Sequence, residues 1–411
     1  MKKIFNKITI VVIAITLVFA SVALSGCNRV NIVFAWYEGS SEYDNMPIVM
    51  MSGDEFEVTR SHFDHLNIEF ERFEIWVNVD NGVVGNPIEN STVVAIEGNT
   101  VTAGNSGHVL ISATLTMPRE GNTRQQWGVW LAWIYVVNEA TMTHITTPEE
   151  LAAMNDNLSG HFILMADIDL AGIEWTPIGQ STLIAECVNC ANRVQGLRCE
   201  CRAFRGIFAN PHGYTISNLT ISTKETGIDF GLFGLVYRHT LISGIILDGV
   251  NINISDYKGI HGFFIGGLVG TMRENVIINN VFVNGIVAGK GIHMGGIVGF
   301  SNGGLIANSS FEGSIKATGA FTDPGFSVGG IVGVNASPPR FGATIINCLV
   351  DANIYGGEFA NVGGVAGRVH YRYSIIGSSF TGGLERLTGR NVGTKFGSQG
   401  HPMFGGPINF D

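Results

Sequence analysis

Five glycine phrases at near-constant spacing constrain this chain more than any other feature. "IGGLVG" (265–270), "MGGIVG" (294–299), "VGGIVG" (328–333) and "VGGVAG" (362–367) repeat one pattern, and a shorter "FGLFG" (230–234) precedes them. The closing glycines Gly234, Gly270, Gly299, Gly333 and Gly367 are 36, 29, 34 and 34 residues apart. Such a period points to stacked repeats rather than one globular core.

The residues between the phrases align in columns. Ile242, Ile278, Ile306, Ile345 and Ile375 form one apolar column, and Leu247, Val283, Phe311, Val350 and Phe380 a second. Val287, Ile315, Ile354 and Leu384 form a third across the last four repeats. Two places after the isoleucines stand Gly244, Asn280, Asn308, Asn347 and Gly377, residue types that suit a turn. Helical periodicity is nearly absent after Phe204. A repeat this small cannot bury its own apolar face, whereas stacked repeats bury a continuous one. The expectation is an all-β solenoid in which each coil pairs in parallel with the next. Glycine would supply positive φ and close backbone approach at the corners. The Leu-Val pair of each phrase would face the core and a neighbouring surface in turn.

The N-terminus is basic (Lys2, Lys3, Lys7), then apolar, and closes on Leu24-Ser25-Gly26-Cys27. This is the pattern of a secretory signal, residues 1–26. Its close resembles the bacterial lipoprotein lipobox, which implies that Cys27 carries lipid and tethers the chain to a membrane outside the cytoplasm. No second apolar run is long enough to span a bilayer. Charged residues are 14% of the chain, against about a quarter in ordinary domains. Residues 1–26 hold three lysines and no acid, so removing them moves the formal net charge from −10 to −13. With no basic cluster along the sequence, nucleic acid is an unsuitable partner.

Residues 30–140 read as β. "FEIWVNVDNG" (73–82), "STVVAIEGNTVTAG" (91–104), "HVLISATLTM" (108–117) and "WGVWLAWIYVV" (127–137) are strand candidates between turns, which suggests a sandwich. The run "VVAIEGNTVTAGNSGHVLISATL" resembles the closing part of bacterial immunoglobulin-like domains. At 143–179 the character changes. Thr147 can cap a short helix begun by "PEEL", and "HFILMADIDL" reads as a strand.

"WTPIG", "FRGIFANPHGYTISNLTI", "GLFG" and the serial "GGLVG" phrases together resemble the GLUG-motif repeat proteins of bacterial surfaces. That resemblance implies a right-handed parallel β-helix of the pectin-lyase-like type over 145–390, followed by a tail, 391–411. GLUG repeats occur in adhesins and beside some secreted immunoglobulin A peptidases. The peptidase zinc motif His-Glu-x-x-His is absent from this sequence.

Four of the six cysteines lie in an insertion, 185–204, as Cys187-x-x-Cys190 and Cys199-x-Cys201. Two such pairs fit a four-thiolate zinc site, two disulfides across a hairpin, or free redox-active thiols. Cys348 shares a column with Val281, Ser309 and Ser378 and reads as a small buried core residue. One outward column is polar: Asp248, Asn284, Glu312, Asp351 and Thr381. Asp248, Glu312 and Asp351 make it the candidate surface site. A solvated turn position explains the same residues. Asp167 and Asp169 could contribute to a cation site but lack further oxygen ligands nearby. The reading as a whole is a lipid-anchored surface protein with a sandwich and a β-helix that binds glycan or protein without catalysis. The alternative is a polysaccharide lyase or hydrolase on the same helix.

Overall fold

The computed structural model describes residues 47–66, 69–78, 91–118, 126–180, 182–183, 198–199, 201–222, 229–254, 263–318, 326–336, 344–356, 360–369, 375–385, 391–393, 396–400 and 407–408. The segment 1–26 expected as a signal, and Cys27, lie outside these residues. The chain divides into two compact units, the first including 46–138 and the second including 139–411.

In the first unit, strands Ile48–Met51, Gln126–Val137, Gly107–Thr116 and Arg72–Asn78 form one sheet in that order. Ile48–Met51 joins in parallel, the others antiparallel. Glu55–Glu57, Thr100–Ala103 and Val94–Glu97 form a second, antiparallel sheet. Alternation explains the pairing, because Val94, Val101, Ala103, Val109, Ile111 and Ile134 share one buried cluster drawn from both sheets. Phe63 closes that core, its ring 5.4 Å from Phe70 and 4.8 Å from Phe73.

The second unit is a parallel β-helix. Each complete coil holds four strands, as in Phe264–Gly266, Val269–Arg273, Ile277–Asn279 and Phe282–Gly289. Stacked coil on coil, they make a first, second, third and fourth sheet of 6, 7, 8 and 8 strands. The isoleucine column is the register of the third sheet: Ile242 pairs Ile278, then Ile306, Ile345 and Ile375. The two other apolar columns are registers of the fourth sheet, and the last of them extends upward to Ile252 and Ile221. All face one continuous core. Burying each such side chain stabilises by roughly 1.5–3 kcal/mol relative to exposure.

The turn column behaves as its residue types require. Asn280, Asn308 and Asn347 sit at φ 54, 50 and 52°, and Gly244 and Gly377 at 75 and 61°. Asparagine tolerates this left-handed region better than other non-glycine residues. Its amides also bond from coil to coil, with Asn308 Nδ2 donating to Asn279 Oδ1 at 3.0 Å.

The glycine phrases meet one half of the sequence expectation, close backbone approach, and not the other, positive φ. None of their glycines lies at positive φ. They are needed because backbone passes where a Cβ would stand. A Cβ on Gly270 would lie 2.6 Å from Phe230 N, on Gly299 2.7 Å from Ile265 N, and on Gly333 2.5 Å from Met294 N. In each case the closing glycine meets the first strand of the preceding coil. The Leu-Val pair does not alternate between core and surface either. Leu268 and Val269 are both fully buried, as are Ile297 and Val298. The corner folds the first and second strands together, and both residues end inside.

The start of the helix has its own closure. Thr147 caps Pro148–Ala152, its hydroxyl accepting from Glu150 N at 3.2 Å. Glu150 reaches back to the Thr146 N–H and hydroxyl, which hold its carboxyl below the ordinary range. Leu151 and Met154 then enter the core. "HFILMADIDL" is two strands, not one: His161–Leu164 opens into the third sheet and Ile168–Asp169 into the fourth. At the other end the sheets continue past residue 390. Asn391–Gly393 pairs Asn361–Gly363, and Phe396–Gly400 pairs Ala366–Val369. The segment expected as a tail thus supplies another partial coil. Its "NVGTKFG" keeps the spacing of the outer glycines, but Thr394 and Lys395 stand where the phrase has its second glycine and an aliphatic residue, which hides the repeat.

Candidate functional site

The polar column is a ladder on the outward side of the fourth sheet. Asn284 pairs Glu312, Glu312 pairs Asp351, and Asp351 pairs Thr381. Asp248 stands where the register shifts, and Asn284 Nδ2 recovers the contact by donating to Asp248 Oδ1 at 2.8 Å. The column continues beyond the sequence reading to Ser217 and Asp169. Those two rungs were missed because the early coils lack the glycine phrase and are interrupted by the cysteine insertion. Asp248, Glu312, Asp351 and Asp169 are exposed, since side chains alternate and their neighbours Leu247, Phe311, Val350 and Ile168 point inward.

Asp169 is the most tied of these carboxylates. Its Oδ1 accepts from Asn218 Nδ2 at 2.8 Å and from Ala171 N at 2.9 Å. The Asn218 amide first, then the Ala171 N–H, holds its pKa below the ordinary aspartate value. Any stability this gives is present above the ordinary value and is lost as pH falls through the lowered one. Asp167 Oδ1 accepts from Thr215 N at 2.8 Å. Both acids of "ADIDL" therefore serve chain contacts. Among the described residues, no three His, Cys, Asp or Glu gather as a metal site.

Beside the ladder, the next outward column is Asn251, Ile286, Ser314 and Asn353, and the one beyond includes Asn253, Lys316 and Tyr355. Ile286 is 48% exposed, and Leu349, on the other flank, 46%. The face thus offers carboxylate acceptors, amide and hydroxyl groups of both kinds, and isolated apolar patches, all repeated at the coil spacing of about 4.8 Å. Such a surface can hydrogen-bond an extended ligand at several successive points. Glu312 and Asp351 are direct register partners on neighbouring strands about 4.8 Å apart, a spacing near the roughly 5–5.5 Å between the carboxyl groups of retaining glycosidases.

The cysteine insertion is described only at its base. Arg198–Cys199 pairs antiparallel with Thr182–Leu183, Cys199 opposite Thr182, and Cys201 follows in an exposed turn. Cys187 and Cys190 lie outside the described residues. Cys348 is buried as expected. Its thiol lies 3.4 Å from Ile346 O, its N–H donates to Ser378 Oγ at 3.0 Å, and burial pushes its pKa up to about 12. A thiol held protonated in this way is a packing group rather than a nucleophile.

No protein-family model and no curated protein matches the chain. Among solved structures, one described as "IgA1 Protease" is similar at 18% identity and a TM-score of 0.42. The match covers 84% of this chain and 28% of that one, so the chain spans less than a third of that protein's length.

Proposed function

We propose that this is a lipid-anchored, extracytoplasmic binding protein. Cys27 carries the lipid, an immunoglobulin-like sandwich follows, and the β-helix presents a rigid face to extracellular glycan or protein without catalysing a reaction. The observation that carries this reading is the ladder from Asp169 to Thr381, a row of polar groups in coil register on either side of the shift at Asp248, over a continuous buried apolar core. A glycan array probed with the full chain tests it. The expected result is retention of a defined set of glycans, reduced about tenfold by Glu312→Ala with Asp351→Ala, the loss of one or two charge-assisted hydrogen bonds. Absence of any retained glycan, together with failure to capture a cell-surface protein, would refute the reading.

The anchor and the insertion have their own tests. Cys27→Ser is expected to move the protein out of the membrane fraction; unchanged fractionation contradicts lipidation. For Cys187, Cys190, Cys199 and Cys201, an oxidising compartment favours two disulfides over zinc. Denaturing mass spectrometry then reads four hydrogens fewer than the reduced chain, whereas a zinc site leaves the reduced mass and releases metal to a chelator.

The register pairing of Glu312 with Asp351 supports a second reading, hydrolysis or elimination on a polysaccharide. Reacting groups usually sit where water is excluded, and these two are exposed. Polysaccharide cleavage abolished by Glu312→Gln would establish this reading over the first.

A further inference from the structure

The corner between the second and third sheets carries an unexpected backbone. In two successive coils it places non-glycine residue pairs in the left-handed region: Arg238 and His239 at φ 39 and 51°, then Glu274 and Asn275 at 44 and 51°. The next coil turns the corresponding corner in one residue fewer, with Gly303 and Gly304 at φ 108 and 120°. Glycine serves here at no steric cost, while Arg, His and Glu at such angles are strained by about a kcal/mol or more each. A strained residue kept where glycine would do invites a functional explanation for its side chain.

The side chains at this corner are cationic. The Arg205 and Arg238 guanidiniums lie 5.0 and 5.1 Å from the centre of the Tyr237 ring. Arg273 is the register partner of Tyr237 on the following coil. Arg238 Nε donates to Glu274 Oε2 at 2.9 Å, which fixes its orientation and, as the leading cause, raises its pKa. Among the described residues, three arginines and one glutamate thus fall on adjacent coils around Tyr237, in a protein whose net charge is −10. The Arg238 side chain is 59% exposed. Each guanidinium carries five N–H donors, so one partner does not exhaust it, and its fork matches carboxylate and sulfate oxygens.

We infer that the Arg205–Arg238–Arg273 corner is a binding site for the carboxylate or sulfate groups of an acidic polysaccharide. The inference rests on the reading of the β-helix as a glycan-binding surface and adds a second face and a charge class. Polysaccharide is favoured over nucleic acid for a geometric reason. Single-stranded nucleic acid needs open aromatic faces for stacking, but Tyr237 is only 8% exposed beneath its arginines.

The test measures binding of the full chain to an oligogalacturonate, a heparin oligosaccharide, neutral dextran and a single-stranded DNA oligomer. The galacturonate separates carboxylate from sulfate recognition. At least one acidic saccharide is expected to bind and dextran not to bind here. Arg205→Gln and Arg238→Gln should each weaken that binding about tenfold and lower the salt slope by about one. Arg238 is exposed enough for its variant to fold if the Arg205 variant does not. Acidic saccharide binding that both variants leave unchanged overturns this site while sparing the ladder. DNA binding as tight, with the same variant dependence, overturns the ligand class. No binding by either acidic saccharide overturns this site, while the glycan reading itself stands or falls with the array.

Discussion

Replacing Gly299 with alanine is expected to cost the β-helix about 3 kcal/mol or more, a large effect for one methyl group. The added Cβ would stand 2.7 Å from Gly270 O and from Ile265 N, and 2.9 Å from Ile265 O. All three are backbone atoms. A flexible side chain could swing away, but these atoms are held at the coil spacing by the hydrogen bonds of two sheets, and overpacking there forces the coils apart. Gly172→Ala is the matched control. Gly172 has φ 79° and nothing within 4 Å of the methyl group that alanine would add, so only conformational strain of about 1 kcal/mol opposes the change. Denaturation midpoints should separate the two variants clearly. Equal losses would mean that backbone conformation, not close approach, is what the glycine phrases supply.

The second large effect belongs to the isoleucine column. Ile306 and Ile345 are each 1% exposed and pair with one another. Aspartate at either place buries a charge with no partner, which should destabilise by on the order of 4 kcal/mol or more, or disorder the stack. Glu312→Ala, a few residues away on the outward ladder, should stay within about half a kcal/mol of neutral. Because the two positions lie close along the chain, the contrast depends on which way each side chain faces. Similar effects at Ile306 and Glu312 would contradict the assigned faces.

Much of this architecture was legible in the sequence because a solenoid writes its contacts at a fixed period. The Ile242, Leu247 and Val287 columns are registers of the sheets, and the Asn280 column turns where left-handed residues are needed. What escaped notice has physical reasons too. That Gly270, Gly299 and Gly333 supply close approach without positive φ depends on how sharply two strands fold together, which residue type alone does not encode. The ladder rungs Ser217 and Asp169 lie before the repeats become regular. Arg205, Arg238 and Arg273 are 33 and 35 residues apart, so a scan for local charge runs passes over them. Stacked coils turn that separation into adjacency, and the same column logic applied to charged residues would have found them.

The ladder, the arginine corner and the glycine clamps all depend on coil register, and one cross-link measures it directly. Ser314 and Asn353 are outward partners on adjacent coils. Neighbouring strands about 4.8 Å apart allow a disulfide, whose Cα separation is usually about 4.4–6.8 Å. With both changed to cysteine, mild oxidation is expected to join them in the folded protein and leave the denaturation midpoint at or above its original value. A control with cysteines at Ser314 and Tyr355, two residues out of register, should stay unjoined. Cross-linking of the control in place of the register pair would contradict the stacking on which every proposed binding face rests.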